Sequence, residues 1–437
     1  MPRDNRTIPL PYADRFATVA AGLPGHELPW LRELRAQAIE RVRHLGLPTI
    51  RNERWKYTNL GSLAAAAFEP VGAESAAGSP GQLPALIGGC RVVFVNGLYR
   101  ADLSTGSLPP GIALTSLPEL LRKRPDHART LFAEHDAGAD SLGSLNVAFA
   151  RDGYVIEVAA GATVETPVDV LHVTTAAAAY HTRNAIIAGP GSSATLIEAF
   201  RHDGATVYWS QPVTEVRVGS GATLRHYKDQ NEGAKAFHTA ATDVRVSENG
   251  RYESFILTTG AALSRNEIAI ILDGRGAACR LDSAYLVRGR QHADNTTSII
   301  HAKPQTTSAE VYKGVLDDQA RAVFQGRIVV EKDAQKADGH QLNKTILLSD
   351  RAEIDTKPEL EIFADDVKCS HGAAAGELDE DALFYLRARG IGQADARRML
   401  VEAFVGETLE SISSVAVRAA FERRIGDWMT AGGEQPA

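Results

Sequence analysis

The chain has 437 residues, with 47 Lys and Arg against 54 Asp and Glu and a formal charge of −7. That length accommodates two or three domains, and the mild acidity argues against a nucleic-acid binder that relies on a broad positive field. The apolar runs at 64–68 and 268–272 fall far short of the ~20 residues a membrane span needs. The polar start, Met1-Pro2-Arg3-Asp4-Asn5-Arg6, has no apolar stretch behind it, so no signal peptide is expected. Three cysteines, Cys90, Cys279 and Cys369, stand far apart. They cannot form a disulfide framework, which fits a reducing cytoplasm. Nor can they supply the four thiolates of a conventional iron–sulfur site from one chain.

Residues 1–66 read as helical. Leu31, Leu34, Ala38, Val42 and Leu45 recur at helical spacing, and Gly46 with Pro48 supplies a stop. Trp55-Lys56-Tyr57 follows, an aromatic pair around a charge whose default role is core packing. Residues 71–84 hold Gly, Ser, Ala and Pro with few large apolar groups and read as an exposed, mobile linker. From about 88 to 371 the texture turns to short β-rich runs separated by turn residues. Examples are Arg91-Val-Val-Phe-Val95 before Asn96-Gly97 and Tyr154-Val-Ile-Glu-Val158 before Gly161. A more helical insertion at 104–145, seen in Leu117, Leu120, Leu121 and Leu131, interrupts this zone. It carries a basic cluster of Arg122, Lys123, Arg124 and Arg129, expected to be a solvated face.

The β zone has a weak internal repeat. Gly191-Ser-Ser-Ala-Thr-Leu196 is echoed by Gly219-Ser-Gly-Ala-Thr-Leu224, and related units begin at Gly250 and Gly276. Steps of roughly 25–30 residues signal a solenoid, propeller or array. No helical stretch between the strands is long enough for βαβ crossovers, and propeller blades need tight hairpin turns at closer spacing. A parallel β-helix fits better. Its open ends must be capped or paired, and the flanking helical zones are available for that.

Residues 377–430 read as three helices. Asp379 sits at an N-cap position with Glu380 and Asp381 in the first turn, Leu383 and Leu386 follow, and Gly390 suits the residue after the helix. A second helix carries a stripe of Ala396, Met399, Leu400, Ala403 and Phe404. A third, after Ser413-Ser414, places Val417, Phe421, Ile425 and Trp428 on one face. The pattern leaves open a cap for the solenoid or a docking surface for a partner.

The familiar catalytic signatures are missing: there is no GxxxxGK[ST] phosphate loop, no HExxH and no GxSxG. The most suggestive segment is Glu359-Leu-Glu-Ile-Phe-Ala-Asp-Asp-Val-Lys-Cys-Ser-His371. In a strand, Cys369 and His371 project to one face, roughly 6–7 Å apart. Thiolate and imidazole together suit iron or zinc, with Asp365 and Asp366 close enough in sequence to raise the imidazole's basicity or add an oxygen ligand. The other reading is a buried structural Cys beside a surface His, since two ligands do not make a site. Cys90 and Cys279 are expected to fill strand cores. His292, His301 and His340 are each expected to be satisfied or solvated.

Several segments together resemble the SufB/SufD family of the SUF iron–sulfur cluster assembly system, and within it the SufD type. They are Thr356-Lys-Pro-Glu-Leu-Glu-Ile-Phe-Ala-Asp-Asp-Val-Lys-Cys-Ser-His-Gly372, Leu383-Phe-Tyr-Leu-Arg-Ala-Arg-Gly-Ile391, Ala396-Arg-Arg-Met-Leu400, Glu53-Arg-Trp-Lys-Tyr-Thr58, Gln291-His-Ala-Asp-Asn295, Tyr312-Lys-Gly-Val-Leu316 and Gln341-Leu-Asn-Lys-Thr-Ile-Leu-Leu-Ser349. The SufD type rests on the Asp-Asp-Val-Lys-Cys-Ser-His run and on the low cysteine count.

The resemblance implies a mainly β fold: a right-handed parallel β-helix over 88–371, between an N-terminal helical domain and linker over 1–87 and a C-terminal helical domain over 372–437. It implies a non-catalytic scaffold subunit that pairs with SufB through the β-helix and with the SufC ATPase through Leu383, Leu386, Met399, Leu400 and Phe404. ATP would be bound by SufC and not by this chain. A transient iron–sulfur cluster would form at the SufB interface, with His371 the better ligand candidate and Cys369 beside it. Reduced flavin is associated with such complexes, although no flavin motif is visible. A homodimer in the absence of SufB is physically reasonable, and neither a nucleic-acid nor a membrane partner is expected. The competing expectation is a parallel β-helix polysaccharide lyase or hydrolase, for which Glu359 with Glu361, or Asp365 with Asp366, would supply paired carboxylates. Such enzymes are usually exported.

Overall fold

The computed structural model describes residues 7–431 apart from 73–77, 135–140, 203 and 205. The alternating β zone winds into a parallel β-solenoid of about eight turns, each turn giving one strand to each of two sheets. In the first sheet Thr223–Gln230, Arg251–Thr258, Ala278–Val287, Thr307–Leu316, Asp338–Leu347 and Lys368–Gly376 stack in order. Phe237–Val246, Leu263–Leu272, His292–His301, Arg321–Val330 and Glu353–Ile362 do so in the second. The partners Thr223↔Arg251↔Ala278↔Thr307↔Asp338↔Lys368 are 27 to 31 residues apart. This is close to the period expected from the sequence.

Two devices hold the coils in register. The first is a column of β-branched side chains, whose restricted rotamers suit a pleated surface. Ile186, Val216, Val244, Ile270, Ile299 and Ile328 are successive register partners and all belong to one buried cluster. The second is a corner where Gly191, Gly221, Asn249, Gly276, Gln305 and Lys336 all have φ between 53° and 68°. Each donates its N–H to the next coil, as in Gly221 to Glu248 O at 2.9 Å and Asn249 to Arg275 O at 2.9 Å. Glycine is the cheapest residue there, which is why the repeat announces itself through glycines. The register differs from the sequence alignment of that repeat. Ser193 pairs with Thr223, and Leu196 pairs with His226 rather than Leu224. The slip is two residues, so side-chain parity survives and both leucines still face the core.

The helices cover the flanks of the solenoid rather than its ends, which corrects the expectation of caps. The Pro29–Leu45 helix is stopped by Gly46, whose N–H reaches Val42 O at 2.8 Å. It buries Leu31, Ala38 and Val42 with the insertion helices Leu117–Lys123 and Ser141–Phe149, against Val155, Ala185, Trp209 and Phe237 on the outer face of the second sheet. The C-terminal helices Gln393–Leu409 and Val415–Ala431 pack Val401, Val405, Leu409, Phe421 and Ile425 on Tyr227, Phe255, Leu286 and Val315, the outer face of the first sheet. The linker is also less free than its composition suggests. Val71 is buried, and the Arg91 guanidinium donates to Pro84 O and Ala85 O. Asp169 accepts from the amides of Ile87 and Gly88, so the linker's return to the solenoid is pinned. Residues 73–77 of that expected loop lie outside the described residues.

The two ends of the solenoid differ. At the first, Leu98–Tyr99 and Ile112–Ser116 turn back antiparallel on Cys90–Val95 and Tyr154–Val158, so both sheets finish there in short edge strands. At the last, Glu353–Ile362 and Lys368–Gly376 pair on one side only. No helix among the described residues is long and apolar enough to cross a membrane.

Candidate functional site

The last strand, Lys368–Gly376, carries the Cys–His pair. Cys369 lies beside Gly339 and His371 beside Gln341, so both side chains share the inward face, as the period of two requires. Cys369 is half-buried against the solenoid core, while His371, at the rim, is exposed. Burial pushes the Cys369 thiol up, the Asp338 carboxylate adds to this, and a hydrogen bond with the Gly339 backbone opposes both. Loss of the thiol proton is therefore disfavoured, and a nearby cation would favour it. On the opposite face of the same edge, His340 bridges Asp338 at 2.8 Å and Ser370 at 2.6 Å.

Asp365 and Asp366 do not join this pair. They sit in the turn before the strand, where the Asp366 amide donates to Gln335 Oε1 and its carbonyl accepts from Lys336. Among the described residues no hydrogen bond or ion pair links either aspartate to His371, and no third His, Cys, Asp or Glu completes a metal-sized cluster there. The pair alone supplies two ligands at most. The paired carboxylates of the hydrolase alternative are engaged elsewhere: Glu361 accepts both arms of the Arg327 guanidinium at 2.7 and 2.8 Å, and Glu359 pairs with Lys357 at 3.1 Å.

The remaining candidates resolve into structure. Cys90 and Cys279 are buried in the solenoid core, where burial pushes both thiols up. His301 is satisfied by Thr306 and Ser308 at 2.8 and 2.9 Å. His292 meets Thr58 at 2.9 Å. In the basic cluster Lys123 pairs with Glu119 and Arg124 with Glu157, while Arg122 and Arg129 are exposed. Trp55 is buried beneath Arg265, so Glu53-Arg-Trp-Lys-Tyr-Thr58 is a clasp on the outer face of the second sheet.

In the C-terminal region Asp379 caps its helix by accepting from the Ala382 amide at 3.0 Å. The Glu380–Ala388 helix has no buried residue, and Phe384 and Tyr385 are 74% and 56% exposed. Leu383 and Leu386 are half-buried and Met399 is exposed. The expected stripe is split, however. Leu400 is half-buried, and Phe404 turns to the solenoid, its ring 4.6 Å from Lys313 Nζ. The fully buried face runs instead through Ala396, Val401, Val405 and Leu409. The sequence pattern carried both stripes about one residue apart, and only the packed sheet distinguishes them.

Sequence reasoning missed a polar network inside the solenoid. Glu198 accepts from Tyr154 Oη at 2.7 Å and lies 2.8 Å from His226 Nε2 and 3.7 Å from His172 Nε2. Burial works against its charge, yet the two imidazoles, His226 hydrogen-bonded and His172 close by, hold it well below the usual carboxylate range. Lys228 Nζ contacts His238 and Asn266 at 2.7 Å each, and burial brings it down to about 8. Glu232 meets the other His238 nitrogen at 2.8 Å. A cavity of about 20 Å³ lies beside Glu198, His226 and Lys228, enough for one water. The signal was available: Glu198 and Lys228 occupy the inward parity of strands whose Leu196 and Leu224 are core.

Residues 171–404 match the family model described as SUF system FeS cluster assembly, SufBD core domain, and residues 7–170 match the SufBD protein N-terminal region. The chain is 31% identical over 401 residues to iron–sulfur cluster assembly protein SufD of Escherichia coli, covering 91% of this chain and 92% of that one. It is 30% identical over 393 residues to an iron–sulfur cluster assembly SufBD family protein of Synechocystis, covering 86% of each. To SufD of Bacillus subtilis it is 26% identical over 426 residues, covering 92% and 95%.

Proposed function

The chain belongs to the SufBD family of SUF iron–sulfur cluster assembly proteins, and from that premise we propose that it is a non-catalytic scaffold subunit that builds its cluster site jointly with a SufB partner. The observation that carries this reading is the open last coil. Its two strands present unpaired backbone groups, Ile362 and Phe363 are 42% and 62% exposed beside them, and Cys369 and His371 stand at the rim. A strand edge of this kind pairs with another edge through main-chain hydrogen bonds. Two ligands here leave a nascent cluster short of donors, so the partner contributes the rest. His371 offers a nitrogen lone pair at the rim. Cys369 follows once the charge of bound iron favours its thiolate.

The C-terminal helices are the proposed SufC contact. The exposed aromatics Phe384 and Tyr385 with Met399 provide the surface, and ATP hydrolysis belongs to SufC. These helices are anchored to the first sheet: Lys313 pairs with Glu407 and donates to Phe404 O, Arg288 donates to Trp428 O, and Phe421 packs on Phe255. A displacement of the helices would load the Thr307–Leu316 strand, two coils from the last one.

The test is anaerobic co-purification of the full chain with SufB and SufC from the same genome, comparing wild type with His371→Ala for bound iron and acid-labile sulfide. Assembly in both cases with iron and sulfide reduced only in the variant is expected. Failure of the wild-type chain to associate with either partner overturns the proposal.

A further inference from the structure

A column of side chains runs along the interior of the first sheet to the open end. Leu281, Glu310, Gln341 and His371 are successive register partners. Glu310 and Gln341 are buried, and Gln341 Nε2 donates to Glu310 Oε2 at 2.7 Å. An ionised carboxylate only accepts, so this bond fixes which way the carboxamide faces. Gln341 Oε1 is left buried with no partner. A buried acceptor left without a donor is destabilising.

The opposite sheet is shaped around this carboxamide. A Cβ on Gly326 would lie 1.9 Å from Gln341 Nε2. In the same motif Asn343 is accounted for, because it donates to Tyr285 Oη at 2.9 Å. Gln341 is the member whose oxygen has nothing to do within the described chain. Its register partner toward the open end is His371, whose side chain rises from the same face of the adjacent strand, ~4.8 Å away.

We propose that Gln341 is a positioning residue for His371: its Oε1 accepts one ring N–H of His371 and turns the other ring nitrogen, with its lone pair, toward the open end. The inference rests on the reading of His371 as a metal ligand, and it adds what orients that ligand. Metal-binding histidines generally donate their second ring N–H to a carbonyl or carboxylate, which fixes tautomer and orientation. Here the acceptor is built into the preceding coil, and Glu310 and the Gly326 gap hold it. Burial pushes Glu310 up to about 7, so ionised Glu310 grips the carboxamide from that side upward.

The experiment uses the full chain with ¹⁵N-labelled histidine and cobalt(II) as the metal probe. The ring nitrogens of wild-type His371 should report a single tautomer, and Gln341→Leu should give a mixture. Gln341→Glu combined with Glu310→Gln, which exchanges the two groups and keeps both the inner hydrogen bond and an oxygen acceptor toward His371, should restore one tautomer. Should Gln341→Leu fail to fold, Glu310→Leu supplies the second variant: it removes the acceptor that holds the carboxamide and should also mix the tautomers. Cobalt(II) affinity should fall about 10- to 100-fold in Gln341→Leu and at least as far in His371→Ala. Wild-type ring signals and affinity in Gln341→Leu overturn the positioning role and leave His371 standing as a ligand. Undiminished cobalt binding in His371→Ala overturns the ligand reading itself, and the ring signals still decide the hydrogen bond.

Discussion

The guanidinium of Arg265 lies over the ring of Trp55, 4.0 Å from its centroid. The same Arg265 pairs with buried Asp294, which also accepts from Thr58 Oγ1 at 2.5 Å. The N-terminal segment is thus fastened to the second sheet by a stacked cation with its counter-ion beneath. Arg265→Ala strands Asp294 in the interior and should cost about 3–5 kcal/mol. Trp55→Ala should cost a similar ~3–5 kcal/mol through lost packing. In denaturant unfolding the double variant should fall short of the summed losses, because both changes break one contact. Additive losses would show that the stacking contributes nothing of its own.

Phe363 makes a different case. It is 62% exposed beside the open end, so Phe363→Asp should change stability by no more than ~0.5 kcal/mol. Paired with a second strand edge, however, the carboxylate would be desolvated without a counter-ion. Sedimentation of the variant with a SufB partner should show weakened association while melting stays unchanged. Unaltered association would remove the open end from the proposed interface.

His301 sets a pH dependence. Burial holds it down to about 4, against smaller opposing contributions from Asp338 and the Thr306 backbone. Between pH 6.5 and about 4 the unfolded chain takes a proton at this residue and the folded one does not, so stability falls as pH falls. The full gap is worth about 3 kcal/mol. Glu310 runs the other way, its raised value removing stability as pH rises from about 4.5 to 7. The stability difference between wild type and His301→Gln isolates the first effect, and it should shift by about 3 kcal/mol in favour of the variant on going from pH 6.5 to 4. A difference that is flat with pH would refute the assignment.

Gly314 is held small by Tyr285, since a Cβ there would lie 2.1 Å from the ring. Gly314→Ala should therefore destabilise by about 1–3 kcal/mol through overpacking. Adding Tyr285→Leu, which withdraws the ring, should recover part of that loss. Thermal melts of the single and double variants check this, and a double variant worse than both singles would rule the steric account out.

How much of this was legible beforehand depends on which force fixes each feature. The coil period was readable from the glycines at 191, 219, 250 and 276, of which Gly191 and Gly276 stand at the left-handed corner itself. Where Gln305 and Lys336 take the same conformation, the signal fades and only the stacked strands reveal it. The Cys369–His371 pairing on one face followed from strand geometry. The distance of Asp365 and Asp366 from it did not, because a corner turn intervenes. The helical stripes of the C-terminal region were readable as amphipathic. Which stripe meets the sheet was decided by Tyr227, Phe255 and Val315 on distant strands, which no local periodicity encodes. The interior charges of Glu198 and Lys228 were hidden because alternation is normally scored for apolar residues, and here charged groups occupy the inward rank with their partners alongside.

The unlike ends of the solenoid bear on how many molecules can join. Antiparallel edge strands of two and five residues border one end, and parallel edge strands of ten and nine residues border the other. A rod sticky at both ends would thread itself into filaments, as head-to-tail contacts that fail to close tend to do. The short edge strands at the first end offer few backbone groups to a partner, so the architecture favours joining at the long-stranded end and disfavours continuation from the other.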